Sequence, residues 1–219
     1  MTEPQPSAVL LKPIAIRVVL FIAVMWLVKA IELFSTIDVS SFGVYPREPM
    51  GLLGVVFAPM IHSGFEHLFS NTLAIFILLT ALFYQYPRSA KYVFAIIYIG
   101  SGIGVWLFAR ESFHIGASGL THGLMFFLFL IGVLRRDKPA MALAMMVFFL
   151  YGSMVWGILP TEERISFESH LFGAVTGIIS AILFRNYDPK PIEKKYSWEQ
   201  DDDEQENDFQ SNDKPDEIK

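Results

Sequence analysis

The sequence predicts an all-α membrane protein: six transmembrane helices with a long, partly membrane-embedded first outer loop. Three observations carry that prediction. Hydrophobic residues make up 53% of the 219-residue chain and charged residues only 18%, against about 25% charge in a typical soluble domain; the mean hydropathy is +0.43. The charges are segregated, because residues 186–219 hold 12 acidic and 5 basic side chains, a net of −7, which leaves +2 for everything before them. Finally, six apolar stretches reach or approach the roughly 20 residues a helix needs to cross a hydrocarbon core about 30 Å thick.

The stretches run from Ile14 to Phe34, His67 to Tyr86, Tyr92 to Ala109, Ser118 to Leu134, Ala140 to Leu159 and Ser169 to Phe184. The first follows Lys12 and Arg17 as a signal peptide would, but its apolar run is longer than a typical signal h-region and no small-residue cleavage site follows, so it reads as an anchored helix. Short separators such as Pro87-Arg88-Ser89 and Arg135-Arg136-Asp137-Lys138-Pro139 carry turn chemistry. Between the first two spans, residues 36–66 include Gly51 to Phe57, apolar but too short to cross, which suits the outer interface. Residues 1–13 form a short N-terminus, 14–185 the bundle, and 186–219 an acidic tail whose composition reads as disordered. With the N-terminus inside, 13 of the 17 lysines and arginines fall on the cytoplasmic side, so both termini are predicted cytoplasmic. No organelle presequence precedes the first span, which fits a bacterial cytoplasmic (inner) membrane.

This pattern excludes several functions. No basic face survives the charge split, so nucleic acid is not an expected partner. Zero cysteines removes disulfides, thiol chemistry and cysteine-ligated metals. Gly100-x-Gly102-x-Gly104 lies within a span and reads as helix packing rather than a nucleotide loop. No internal repeat or pair of broken helices suggests a transporter. Five histidines invite a metal, but no HExxH-like spacing or carboxylate ligand accompanies them. Neither a metal nor another cofactor is expected.

Polar residues at membrane depth are costly and therefore informative. All five histidines, His62, His67, His114, His122 and His170, fall toward the outer side. His67 and Asn71 are one turn apart near the outer end of the second span, Ser118 opens the fourth and His170 opens the sixth. Gly119 and Gly123 follow the serine; Gly173 and Gly177 share the face of His170. Small residues at this spacing let helices approach closely in lipid, and pairing the two faces would bring Ser118 toward His170. A serine with a histidine base is the chemistry of nucleophilic catalysis, and Asn71, His67 and the Ser118 backbone N–H are candidate oxyanion donors. A carboxylate third member is not expected: no Asp or Glu lies inside the second to sixth spans, and Glu168 should point elsewhere. His62, His114 and His122 are expected to line the cavity or the interface.

Gly116-Ala117-Ser118-Gly119, His62-x4-His67-x3-Asn71 and His170-x2-Gly173-x3-Gly177, in this order and on these spans, resemble the rhomboid family of intramembrane serine proteases over roughly residues 14–185. The resemblance implies a six-helix rhomboid bundle with a hydrated cavity open to the outside; because a buried dyad needs water, that opening is expected to be gated by the fifth helix or residues 160–168. It implies Ser118 as nucleophile, His170 as general base and acid, and His67 and Asn71 as oxyanion stabilisers. Its implied partners are transmembrane protein substrates and the lipid bilayer. His122 departs from the family, whose members often carry an aromatic residue there that packs on the catalytic histidine. The alternatives are a non-catalytic rhomboid-like protein that binds transmembrane clients and, behind it, a small-molecule transporter.

Overall fold

The computed structural model describes residues 6–35, 37–160 and 165–190. Most of the acidic tail, the first five residues and residues 161–164 of the expected 160–168 gate lie outside the described residues. The bundle belongs to a unit that ends at Pro189, and Lys190–Lys219 is a separate unit.

Among the described residues, six helices are long and apolar enough to cross a membrane. The spanning helices are α1 (Pro6–Phe34), α3 (Phe65–Gln85), α4 (Ala90–Phe108), α5 (Ser118–Arg135), α6 (Lys138–Tyr151) and α7 (Phe167–Phe184); a short α2 (Leu53–Phe57) lies in the first loop. A 3-10 segment, Gly152–Ile158, prolongs α6 to spanning length. The protein is thus an integral membrane protein; five of the expected spans lie within two residues of their expected bounds, and α1 begins eight residues before the expected Ile14, at Pro6.

Burial sets α5 at the centre. Two-thirds of its span (67%) is enclosed, against 11% for the span formed by α6 and its extension. Leu120, Leu124, Phe127, Leu128 and Ile131 of α5 join Leu78 and Leu82 of α3 in the main core. At roughly 2 kcal/mol per large apolar side chain shielded from water such a core would hold a soluble domain. In lipid that term fades and close packing takes over. The seam of α5 with α7 shows how close. A Cβ placed on Gly173 would collide with the Gly119 carbonyl oxygen, and one on Gly177 would collide with that of Gly123. Both expected glycine pairs therefore face each other.

The first loop folds as a compact apolar segment, Pro49–Met60. It is fastened to α4 by Tyr98 Oη donating to the Val56 carbonyl (2.6 Å) and Trp106 Nε1 donating to that of Glu48 (2.8 Å). Val44 and His114 exchange a pair of backbone hydrogen bonds of 2.9 Å, tying the loop to the chain that leads into α5.

At the opposite end, where α7 finishes, Arg135 is buried at the last turn of α5. Its Nε pairs with Asp137 at 2.9 Å. Its guanidinium also donates to the carbonyls of Arg185, Asp188 and Pro189 at 3.2, 2.7 and 3.0 Å. The buried Asp188 carboxylate accepts from the backbone of Arg88 (2.8 Å) and from the Ser89 hydroxyl (2.5 Å).

Candidate active site

Ser118 is the first residue of α5. The turn before it requires Gly116, whose φ of +107° is rarely open to residues with a side chain. Gly116 is also where the His67 ring approaches: a Cβ there would lie 2.6 Å from His67 Cε1. One glycine thus turns the chain into α5 and admits the ring of α3 beside the serine.

His67 sits in the first turn of α3 with Nδ1 3.2 Å from the Ser63 hydroxyl. Asn71 follows on the same face, buried, with one amide hydrogen given to the His67 carbonyl at 2.9 Å. His170 occupies the first turn of α7, whose N-cap, Ser166, accepts from the Ser169 backbone N–H. The His170 Nδ1 lies 2.8 Å from the Gly157 carbonyl. A carbonyl only accepts, so Nδ1 carries the proton and the neutral ring keeps an unprotonated Nε2.

Ser118, His67, Asn71, His122 and His170 all line one cavity of about 1020 Å³. Ser118 Oγ makes no hydrogen bond among the described residues; it shares the cavity with His170 without being bonded to it. His122 stacks face to face on His170, with ring centroids 3.9 Å apart and planes 8° apart. An imidazole thus packs on His170 from the position where family members often carry an aromatic ring.

Two expectations need correction. His62 does not line the cavity: it is buried, neither ring nitrogen has a partner among the described residues, and it meets the edge of His67 at 5.0 Å. Burial, with His67 beside it, pushes its pKa down to about 4. Carboxylates also do enter the spans, because α3 begins at Phe65 and takes in Glu66, while α7 begins at Phe167 and takes in Glu168. Glu168 is buried and makes no hydrogen bond to His170; its Oε1 lies 3.7 Å from Arg110 Nε. His114 lines the cavity as expected, and its Nδ1 lies 2.6 Å from the Ser166 hydroxyl. Burial lowers its pKa, against the opposing pull of the Arg110 carbonyl and Glu168. Among the described residues no three His, Asp or Glu side chains converge as metal ligands would.

Sequence reasoning missed the Gly157 and Met154 carbonyls, which are backbone atoms. The one available signal was Gly157 itself, since a Cβ there would lie 3.0 Å from His122 Nε2 and 3.1 Å from His170 Nδ1.

The family model of the Rhomboid domain matches residues 49–187, well over half of the chain and all of the cavity. The chain belongs to the rhomboid family. Among relatives of this rhomboid, an uncharacterized protein of Mycobacterium tuberculosis is 33% identical over 172 residues, 74% of this chain and 72% of the relative. One of Mycobacterium leprae is 29% identical over 177 residues, 77% and 70% of the two chains. A Bacillus subtilis protein named "Putative rhomboid protease YdcA" is 27% identical over 199 residues, 83% of this rhomboid and 94% of that protein.

Proposed function

We propose that this rhomboid is an intramembrane serine endopeptidase that cleaves other membrane proteins in or near a transmembrane segment. The observation that carries the reading is the tautomer of His170. With Nδ1 committed to the Gly157 carbonyl, Nε2 holds a lone pair in a ring that lines the cavity shared with Ser118.

The chemistry rests on those two side chains. Ser118 Oγ attacks the scissile carbonyl as its proton passes to His170 Nε2, giving a tetrahedral oxyanion. The first-turn amides of a helix lack intrahelical acceptors, so the Ser118 N–H at the positive end of α5 is a donor to that oxyanion. Asn71 has a second amide hydrogen, and a Ser63 hydroxyl donating to His67 Nδ1 leaves Nε2–H of His67 as another. His170 then protonates the leaving amine, and the acyl-enzyme remains on Ser118. A water deprotonated by His170 releases the second product. Donors already fixed before the reaction lower the barrier because they need no rearrangement at the moment charge develops.

The basic residues support an inner-membrane orientation with both termini cytoplasmic and the cavity on the outer side. The client-binding alternative is favoured by one observation, that Ser118 and His170 share no hydrogen bond; such bonds often tighten only on substrate binding. Labelling with a fluorophosphonate, wild type beside Ser118→Ala and His170→Ala, decides between them. The expected outcome is labelling of wild type alone, and loss of transmembrane-substrate cleavage by at least about 10³-fold in both variants. A folded wild type that is neither labelled nor active sinks the protease reading.

A further inference from the structure

His122, one turn past Ser118 on α5, is almost fully buried, and its ring lies between two carbonyl oxygens. Nδ1 is 2.7 Å from that of Ser118 and Nε2 is 3.1 Å from that of Met154. Carbonyls cannot donate, and a neutral imidazole has one N–H. It can therefore serve one of the two. The Ser118 carbonyl also accepts from Thr121 Oγ1 at 2.9 Å and keeps that donor in either state, whereas among the described residues His122 is the side-chain donor to Met154. Exchanging one bond for the other costs no net hydrogen bond: a proton leaves Nε2 to cavity water and one is taken up at Nδ1.

The segment on the far side of this contact is weakly held. No residue of Gly152–Ile158 is buried, and α6 before it buries only Ala140, Ala144 and Val147. Among the described residues, its polar ties to the rest of the bundle are Met154 to His122, Gly157 to His170, and Tyr151 Oη to the Leu73 carbonyl at 3.4 Å on the adjoining turn. The two stacked imidazoles thus fasten one and the same 3-10 turn to α5 and α7.

We propose that His122 is a latch, a positioning residue whose single proton alternates between the Ser118 and Met154 carbonyls, so that the end of α6 is held against His170 in one state and released in the other. Release opens the side of the cavity through which a transmembrane segment reaches Ser118, which rests on the protease reading. An imidazolium at His122 satisfies both carbonyls and holds the turn closed. It also sets a positive charge 3.9 Å from the ring that must accept the Ser118 proton. From α7 the ionisable group facing His122 is His170; the Gly152–Ile158 turn and the first turn of α5 present carbonyls. The remaining ionisable groups on the cavity wall are Glu66 and His67 on α3, Tyr151 on α6, and Arg110 and His114 before α5.

Hydrogen exchange of the full chain in detergent micelles tests this on wild type, His122→Phe and His122→Gln. Phenylalanine keeps the stack without the bond and should speed exchange in 152–158 roughly fivefold, one hydrogen bond's worth, with α7 unchanged. Glutamine, whose amide donates without titrating, should restore protection at neutral pH. Equal rates in wild type and His122→Phe overturn the latch. Fluorophosphonate labelling of the same samples separates the two claims. A labelled wild type with unchanged exchange overturns the latch alone. An unlabelled one with His122-dependent exchange overturns its catalytic meaning.

Discussion

The two ends of this bundle use their polar residues in opposite ways. At the end where α7 finishes, Arg135 and Asp188 are buried and almost saturated with partners, and they lock two connections and the end of α7 into one network. At the cavity end the polar groups are under-committed. Ser118 Oγ has no partner among the described residues, Asn71 uses one of its two amide hydrogens, and His122 has two acceptors for one proton. A saturated network resists movement, because every displacement strands a buried group. An under-committed one leaves donors and lone pairs for a substrate. In these two clusters saturation goes with the scaffold and spare hydrogen-bonding capacity with the candidate site. The exceptions are Tyr86 Oη beside Arg135, buried without a partner among the described residues, and His114 on the cavity wall, with a partner at each ring nitrogen.

Two substitutions test that division. Arg135→Ala should have the largest effect, about 3–5 kcal/mol of stability, because it removes a buried cation from Asp137 and strips the Arg185, Asp188 and Pro189 carbonyls of their donor. Thermal or denaturant unfolding in micelles measures it, and the folded remainder should still label at Ser118. Asn71→Ala should do the reverse, lowering turnover about 10²-fold, roughly 3 kcal/mol of barrier, while stability moves by only about 1 kcal/mol. Equal effects on stability from the two would erase the distinction between the ends.

The smallest effect is a pH dependence beneath the cavity. His62 has a folded-state pKa of about 4, below the roughly 6.5 of an unfolded histidine. Its neutral form therefore stabilises the fold above pH 6.5, and that contribution is lost as pH falls from about 6.5 toward 4. By about pH 5 the loss should be about 2 kcal/mol, read as a falling midpoint of unfolding. His62→Phe should flatten that slope, and an unchanged slope would show that another group sets it.

Much of this is legible in the sequence, for reasons that differ by residue. The six spans are dictated by length and apolarity alone, which lipid enforces. The shared depth of Ser118, His67, Asn71 and His170 comes from counting residues along helices of known rise, and the glycine pairs predict the α5–α7 seam. The illegible part depends on contacts between distant backbone atoms. Nothing in Met154 or Gly157 as letters says that their carbonyls will meet two histidines. By composition Arg135 is one more cytoplasmic positive charge, yet it is buried. Asp188 falls by position within the acidic tail, although its carboxylate caps the turn before α4 and belongs to the bundle.

The Gly157 carbonyl has one more consequence. In a triad the group that orients the histidine is a carboxylate, and a mutational scan finds it because deleting the side chain silences the enzyme. Here that orienting group is a peptide bond, shared by every amino acid that could be placed there. An alanine scan of this chain would therefore find only the side chains of the site and assign Gly157 to packing. Replacing that amide with an ester, which weakens the oxygen as an acceptor and leaves every side chain in place, would expose the third participant that genetics passes over.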